Sequence, residues 1–272
     1  MLTTAYVSSA VGGMLKRREQ YLSSLHAELA GRNADLRAAN ERLLEIDRTK
    51  TDFMRMAAHE IRSPVSSMVS LMHTIIGGYV DDKDKIIDMV KICMGRANDA
   101  LAFSRDLLSL AREKSRDLEP ENLDVCKEIL AVTGGFENDA REKGISIETD
   151  LPVQQRSIFD RESFALALWH LIDNALRYSH ENAGPVKVSL AAGVEKLILT
   201  VSDHGIGISE DDIARLPQEF FRAGNGRAHS HVGTGLGLSI AWRAAKNLGG
   251  GIVCRSAAGE GSTFVLTWPL LQ

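Results

Sequence analysis

The sequence has few cysteines and no strong excess of either charge, and both features narrow the class of protein. Cys93, Cys126 and Cys254 are odd in number, far apart and without a CxxC pair. Neither a disulfide framework nor a cysteine zinc site is expected, and a reducing cytoplasm is the predicted location. With 32 basic and 36 acidic residues, the formal net charge is -4. Such a chain has no overall attraction for a polyanion, so no nucleic-acid partner is predicted.

A long apolar run is also missing. Residues 2–15 carry no charge and are followed at once by a basic cluster at 16–18. A membrane span takes roughly 20 apolar residues, and a secretory signal has its positive charge before the apolar stretch. Two interpretations stay open. The stretch is either the inner end of a membrane segment that tethers the chain to the inner membrane, with its basic cluster on the cytoplasmic side, or the ordinary start of a helix.

The N-terminal part does contain a leucine at every seventh position. The series is Leu15, Leu22, Leu29, Leu36 and Leu43, while the companion seam mixes apolar residues with arginine. This pattern predicts a parallel coiled coil over residues 1–44, although a solvated amphipathic helix would give nearly the same pattern.

Residues 45–113 predict a helical hairpin. On a helical wheel His59 lies on the polar face of the first helix, opposite its apolar stripe. The stretch 77–82 is turn material, and the second helix has an apolar stripe at three- and four-residue spacing from Ile87 to Ala111. One hairpin cannot bury both stripes, so we predict a homodimer, a four-helix bundle with His59 on its outside.

After a charged linker at 114–122, residues 123–272 predict an α+β sandwich with a helical layer on one face of a sheet. Three stretches have helical periodicity: 124–142, 161–178 and 234–248. Six stretches are predicted strands: 145–149, 156–159, 185–191, 195–202, 251–256 and 262–268. The first, third and fourth of these show the β-branched, alternating character expected of strands.

Three short motifs in this second half could bind a nucleotide, but each is weak alone. Asn174 and Arg177 share a helix face, where an amide oxygen suits Mg²⁺ and a guanidinium suits phosphate. Asp203 ends a strand and begins a DxGxG turn. Glycines 233, 235 and 237 open a helix, whose N-terminus attracts phosphate. The glycine run is neither a dinucleotide fingerprint nor a P-loop, and the polar stretch 209–232 before it is typical of a lid or a disordered segment.

Taken together and in order, segments spanning roughly residues 45–270 resemble the sensor histidine kinases of two-component systems. "FMRMAAHEIRSP" at 53–64 is similar to the family's H-box and "LIDNALRYS" to its N-box. "DHGIGI", "FFR", "GTGLGL" and "GEGSTF" are similar to the G1 box, the F-box, the G2 box and the last glycine box. Six such segments in this order and spacing are very specific.

The resemblance implies a dimeric helical hairpin followed by a Bergerat-type ATP-binding domain, with ATP and Mg²⁺ as ligands and a response-regulator receiver domain as partner. His59 would be the phosphoacceptor, Glu60 its activating neighbour and Ser63 a residue that assists phosphatase activity. Asn174 would also ligate Mg²⁺. The implied nucleotide-binding residues are Asn174, Arg177, Tyr178, Asp203, Gly205, Gly207, Gly233, Gly235, Leu236 and Gly237. We recognise no sensor module before residue 15, so such a module is expected outside this chain.

Three positions depart from the family pattern. His170 stands where asparagine is usual, Arg177 where lysine is usual, and His204 where asparagine usually follows the aspartate. We interpret His204 as a solvated turn residue. Two alternatives to an active kinase stay open at this point. Because His170 lies in the N-box, the chain could be a relative that acts mainly as a phosphatase. The other alternative is a non-catalytic dimeric nucleotide-binding module, against which the intact H-box and the complete glycine set argue.

Overall fold

The computed structural model describes residues 2–229 and 233–271. It contains two compact units, of which one ends at His59 and the other begins at Glu60. Helix α1 (Leu2–Ile76) belongs to both. Within the described ranges no helix carries an apolar stretch long enough to cross a bilayer.

In the first unit the described members of the leucine series are solvent-exposed. Leu29, Leu36 and Leu43 are 49%, 68% and 64% exposed in the single chain, whereas the side chains of Leu15 and Leu22 lie outside the described part. A coiled-coil seam stays exposed until a second helix covers it. The coiled coil over 1–44 therefore remains a prediction.

The second unit begins with the end of α1, the predicted turn and helix α2 (Lys83–Ser115). Gly78 adopts a left-handed φ of 67° in the turn. Asp82 then caps α2, because its carboxylate accepts the backbone N–H of Asp84 at 3.0 Å and of Lys85 at 3.4 Å. Such caps satisfy amides that have no partner within the helix.

Helix α2 has two faces of different character. The stripe predicted from the sequence is exposed, with Met94, Leu101 and Leu108 at 62%, 61% and 64%. A different row, which includes Phe103 and Leu110, is buried against the rest of the unit.

The remainder of the unit is a two-layer α+β sandwich, as predicted. Its five-stranded sheet has the order β2-β4-β5-β7-β6, in which only the β2–β4 pair is parallel, and β1 and β3 form a separate antiparallel pair. Its elements in chain order are β1 (Pro120–Asp124), α3 (Val125–Gly134), α4 (Glu137–Glu142), β2 (Ile147–Asp150), β3 (Arg156–Asp160), α5 (Arg161–Tyr178), β4 (Val186–Ala192), β5 (Lys196–Ser202), α6 (Glu210–Ile213), α7 (Gly224–His229), α8 (Gly237–Asn247), β6 (Gly251–Ser256) and β7 (Ser262–Pro269).

The core lies between the sheet and the helices α3, α5 and α8, with α5 packed directly on α8. Strand β7 alternates strictly, so that Phe264, Leu266 and Trp268 all point inward and are at most 1% exposed. Trp268 packs against Phe164 with ring centroids 5.4 Å apart. This packing fixes the position of α5, which forms one wall of the site described below.

Three segments differ from their sequence-based prediction. The helix expected at 124–142 is two helices, because the pair Gly134–Gly135 ends α3. The expected linker 114–122 is mostly structured: α2 continues to Ser115, and residues from Pro120 form β1 against β3. The stretch 209–232 contains the short helices α6 and α7.

Candidate functional site

A cavity opens beside the C-terminal half of α5, and several chain segments contribute to its wall. These are α2, α5, the turn after β5, the segment 221–226 and the glycine-rich loop before α8. Its lining residues include Ala102, Asp106, Trp169, His170, Asp173, Asn174, Arg177, Tyr178, Asp203, Ile206, Gly207, Ile208, Phe221, Arg222, Asn225, Gly233, Thr234, Gly235, Gly237 and Ser262. Polar groups from separate segments therefore converge on one apolar-walled space, as in ligand pockets generally.

The last turns of α5 supply the metal and phosphate candidates. Asn174 and Arg177 both line the cavity, and Arg177 donates from Nη2 to Asp173 Oδ2 at 3.0 Å and from Nε at 3.3 Å. Burial alone would lower the pKa of Arg177, but the Asp173 carboxylate raises this pKa by more than burial lowers it. The guanidinium therefore keeps its charge. A fixed positive charge thus faces the cavity beside the Asn174 amide.

Tyr178, the last residue of α5, supports both walls of the cavity. Its carbonyl accepts the backbone N–H of Ile206 at 3.1 Å. A Cβ added to Gly233 would stand 3.4 Å from the Tyr178 hydroxyl oxygen. The tyrosine is therefore hydrogen-bonded to the turn after β5 and lies beside the glycine-rich loop.

Asp203 has one carboxylate oxygen bound by protein and one available to a ligand. It is 6% exposed, and its Oδ1 accepts the backbone N–H of Gly205 at 2.8 Å and of Ser262 at 3.2 Å. Among the described residues no donor bonds to Oδ2. Burial raises the pKa of Asp203 and outweighs the lowering by the two amides. The side chain is thus a fixed, buried acceptor at the cavity wall.

Two glycines of the site are required by backbone geometry. Gly207 has a φ of 63°, and a Cβ there would overlap the Ala257 carbonyl. Gly235 has a φ of 69°, and a Cβ there would lie 2.6 Å from the Phe220 carbonyl carbon. The left-handed backbone and the close approach both exclude larger residues. Phe220 itself has a φ of 63°, which is uncommon for a residue with a side chain.

His170 is a neutral imidazole inside the cavity wall. It is 4% exposed, and burial together with the charge of Arg177 lowers its pKa to about 4. Its ring meets Trp169 edge-on, with centroids 4.9 Å apart. A Cβ on Gly237 would stand 3.0 Å from His170 Nδ1, so the histidine abuts the start of α8.

A second cleft, of about 360 Å³, lies next to the first cavity within the same unit. Glu60 and Ser63 of α1 line it, and so do Gly233 and Thr234, which belong to both clefts. His59 is the last residue of the other unit, and its side chain is exposed.

Most of the predicted nucleotide-site residues line one cavity. Two of them, Gly205 and Leu236, do not line the cavity. The backbone N–H of Gly205 donates to the Asp203 carboxylate, and Leu236 is fully buried at the start of α8. His204 is exposed, with Nδ1 3.2 Å from the Pro185 carbonyl oxygen, which agrees with a solvated turn residue.

Asp106, Asp173 and Thr234 line the cavity but are not among the residues predicted from the sequence. A signal existed for Asp173, which stands four residues before Arg177 at ion-pair spacing. Asp106 had none, because its neighbours in space come from another domain of the chain.

Comparisons with known proteins give a consistent result. Residues 159–272 match the family model of histidine kinase-, DNA gyrase B- and HSP90-like ATPases. An uncharacterized sensor-like histidine kinase of Rhizobium meliloti is 31% identical over 250 residues, which are 90% of this chain and 46% of that protein. The sensor-like histidine kinase SenX3 of Mycolicibacterium smegmatis is 30% identical over 226 residues, which are 82% of this chain and 58% of that protein. The chain thus spans about half the length of these curated relatives.

Solved structures show the same fold. The histidine kinase AdeS of Acinetobacter baumannii superposes with a TM-score of 0.63 at 25% identity, over 79% of this chain and 98% of that one. The histidine kinase ThkA, solved in complex with the response regulator protein TrrA, superposes with a TM-score of 0.66 at 22% identity, over 80% of this chain and 61% of that one.

Proposed function

We propose that this chain, which belongs to the sensor histidine kinases and has a Bergerat-type ATP-binding domain, phosphorylates itself on His59 with ATP and passes the phosphoryl group to a response-regulator aspartate. The observation that carries the proposal is the convergence of Asn174, Asp203 and the loop 233–237 on one cavity. Two residues of that loop also line the cleft that holds Glu60, which follows the phosphoacceptor directly. Gly233 and Thr234 of the proposed nucleotide site thus also border Glu60 and Ser63, within the second unit.

The base of the nucleotide is assigned to Asp203. Its Oδ1 is occupied by two backbone amides, so Oδ2 is the oxygen that would accept a hydrogen bond from the exocyclic amine of adenine. A buried acceptor left without that donor costs about 1–3 kcal/mol, and this cost favours adenine over a base that presents a carbonyl there.

The phosphates are assigned to the glycine-rich loop and to the start of α8. Backbone N–H groups at a helix N-terminus have no partner within the helix and attract anions. The glycines keep side chains away from that backbone, and Arg177 adds a fixed positive charge. Tyr178 and Gly207 complete the wall.

The donor set fits Mg²⁺ held jointly by protein and nucleotide. The described residues contain no group of three or more His, Cys, Asp or Glu side chains that could hold a metal by themselves, whereas the Asn174 amide lines the cavity. Mg²⁺ is usually bound by one or two protein oxygens together with phosphates and water. When bound, it would neutralise the charge that develops on the β- and γ-phosphates.

The acceptor chemistry is assigned to α1. A neutral His59 nitrogen attacks the γ-phosphorus; the nitrogen–phosphorus bond forms as the bond to the bridging oxygen breaks, and ADP leaves. The cation that forms on the imidazole loses its proton to Glu60, whose carboxylate also orients the ring. Ser63 lies one helical turn further on. We assign it to the phosphatase activity, in which it would position the water that hydrolyses a phosphorylated regulator.

Partners and location follow from family membership and remain part of the proposal. We assign the chain to the cytoplasm, where ATP and the regulator are found. We also assign it to a homodimer, because the stripes on α1 and α2 present exposed apolar side chains in the single chain.

Incubation with ATP labelled on its γ-phosphate tests the reaction. The wild type should acquire label that is labile in acid and stable in base, and His59→Gln should acquire none. His73→Gln, which changes another exposed histidine of α1, is the matched control and should label normally. Absence of label from the wild type over a full range of ATP and Mg²⁺ concentrations would refute the proposal.

A further inference from the structure

Helix α2 approaches the ATP-binding domain through one continuous face. Phe103 meets Phe220 with ring centroids 6.4 Å apart. Further along, Lys114 Nζ donates to Glu219 Oε1 at 2.6 Å, and Asn247 Nδ2 donates to Glu113 Oε2 at 2.8 Å. The helix therefore docks on the segment 219–220 and on α8 at the same time.

Asp106 lies on this docking face and reaches into the nucleotide cavity. The Thr234 hydroxyl donates to Asp106 Oδ2 at 3.0 Å. Thr234 stands between Gly233 and Gly235, and its Oγ1 also accepts the backbone N–H of Leu236 at 3.1 Å. An α2 carboxylate thus holds the middle of the loop assigned to the phosphates.

The position of Asp106 beside the glycine-rich loop is unfavourable for a negative charge. Burial, reinforced by Asp173, raises the pKa of Asp106 to about 6 against the Thr234 hydrogen bond and the charges of Arg177 and Arg105. The carboxylate is still mainly ionised at neutral pH. A triphosphate brought to the same loop would place several negative charges beside it, and like charges in a partly buried site repel strongly.

We propose that Asp106 sets the nucleotide affinity of this site: its carboxylate and the triphosphate compete for the loop at Thr234, so that nucleotide binding and docking of the ATP-binding domain on α2 oppose each other. The inference rests on the proposed function, because it assigns the cavity to ATP. It adds a residue from the dimerisation hairpin to the nucleotide site. By linkage, docking lowers the affinity for ATP by the same factor by which bound ATP weakens docking.

Calorimetric titration of the full chain with a non-hydrolysable ATP analogue and with adenosine, both in the presence of Mg²⁺, tests the competition. Asp106→Asn keeps the size and an acceptor for Thr234 but removes the charge. We expect it to bind the triphosphate about tenfold more tightly than the wild type and adenosine equally well. Asp88→Asn removes an exposed α2 carboxylate that pairs with Lys91, and as the matched control it should leave both affinities unchanged.

The outcomes separate the inference from the function on which it rests. If Asp106→Asn binds the triphosphate as the wild type does, or more weakly, the competition is refuted while the ATP site stands. If neither protein binds adenosine or the analogue, the proposed function itself is refuted. Asp106→Ser, a second neutral variant, must show the same gain in triphosphate affinity, and it replaces the asparagine variant if circular dichroism shows that the latter is unfolded.

Discussion

At the scale of single residues, Asp203 combines a structural and a binding task in one carboxylate. The Ser262 amide joins it to the start of β7, and the Gly205 amide closes the turn after β5. Only a group with two acceptor oxygens can satisfy both amides and still present an acceptor to a ligand.

Asp203→Asn is therefore expected to weaken ATP binding strongly while the protein stays folded. In one orientation its NH₂ group faces the adenine amine, donor against donor, and in the other it faces the two backbone amides. We expect the dissociation constant of the ATP analogue to rise about 10- to 100-fold, measured by calorimetry. Asp150→Asn, at an exposed position of β2, serves as the control. An unchanged affinity for Asp203→Asn would remove this residue from the binding site.

At the scale of secondary-structure elements, a buried ion-pair network joins the end of α2 to the start of α5. Arg116 forms a two-pronged ion pair with Asp160 and a further one with Glu113 at 2.8 Å. Asp160 also caps α5, since its Oδ2 accepts the backbone N–H of Ser163 at 2.8 Å. The carboxylates of Asp160 and Glu113 are only 3% and 1% exposed, so removal of one partner leaves a buried charge.

The network should stabilise the ATP-binding domain above about pH 4, and this stabilisation should be lost in acid. Burial alone would raise the pKa of Asp160, but hydrogen bonds from Arg116 and from the amides of Ser163 and Glu119 lower it from 3.8 to about 2. Because the folded pKa is below the unfolded one, the stabilisation is complete above the unfolded value and is lost as the pH falls toward 2. Asp160→Asn should cost about 2–3 kcal/mol at pH 7.

Urea denaturation followed by circular dichroism measures this difference. The gap in unfolding free energy between wild type and Asp160→Asn should shrink by about half at pH 3. Asp150→Asn should cost little at either pH. A gap that stays constant from pH 7 to pH 3 would show that the ion pair does not titrate in this way.

The elements that could be predicted from the sequence are those whose pattern is local. The strands β4, β5 and β7 alternate and lie within a residue or so of the predicted ranges, since each has one face on the core. The strand β1 was not predicted, because the run Pro120–Asp124 is short and mostly polar and forms a strand by pairing with β3. The parallel pairing of β2 with β4 is equally non-local.

The residues of the candidate site could likewise be predicted only where they belong to a local sequence pattern. Family motifs placed most of the cavity residues, including Asn174 and Asp203, because each motif is contiguous in the chain. Asp106 and its bond to Thr234 join positions 128 residues apart, and no pattern within α2 distinguishes that aspartate from its exposed neighbours. Tertiary contact alone gives it a role.

At the scale of the whole molecule, the two faces of α2 define two separate surfaces. One face carries Phe103, Asp106 and Leu110 to the ATP-binding domain. The other carries the exposed stripe of Ile87, Val90, Met94, Leu101 and Leu108. Burying a leucine side chain contributes about 1.5–3 kcal/mol, so this stripe is a strong candidate for the dimer interface.

Leu101→Glu should therefore weaken the proposed homodimer. Each dimer would place two charges in an apolar interface, and we expect the dissociation constant to rise at least about a hundredfold, measured by sedimentation equilibrium. Leu118→Glu introduces the same charge at a leucine that is 40% exposed outside α2, and it should not alter association. If both variants associate like the wild type, the stripe is not the interface.

Two of the three indoles, those of Trp169 and Trp268, give the molecule built-in optical reporters, whereas the third, Trp242, packs against Phe264 with ring centroids 6.2 Å apart. Trp169 lines the nucleotide cavity, 42% exposed, between His170 and Phe136. Trp268 is sealed in the core. The emission of Trp169 therefore depends on what enters the cavity, while that of Trp268 depends only on whether the domain is folded. A nucleotide can therefore be followed through the emission of Trp169 without any attached dye.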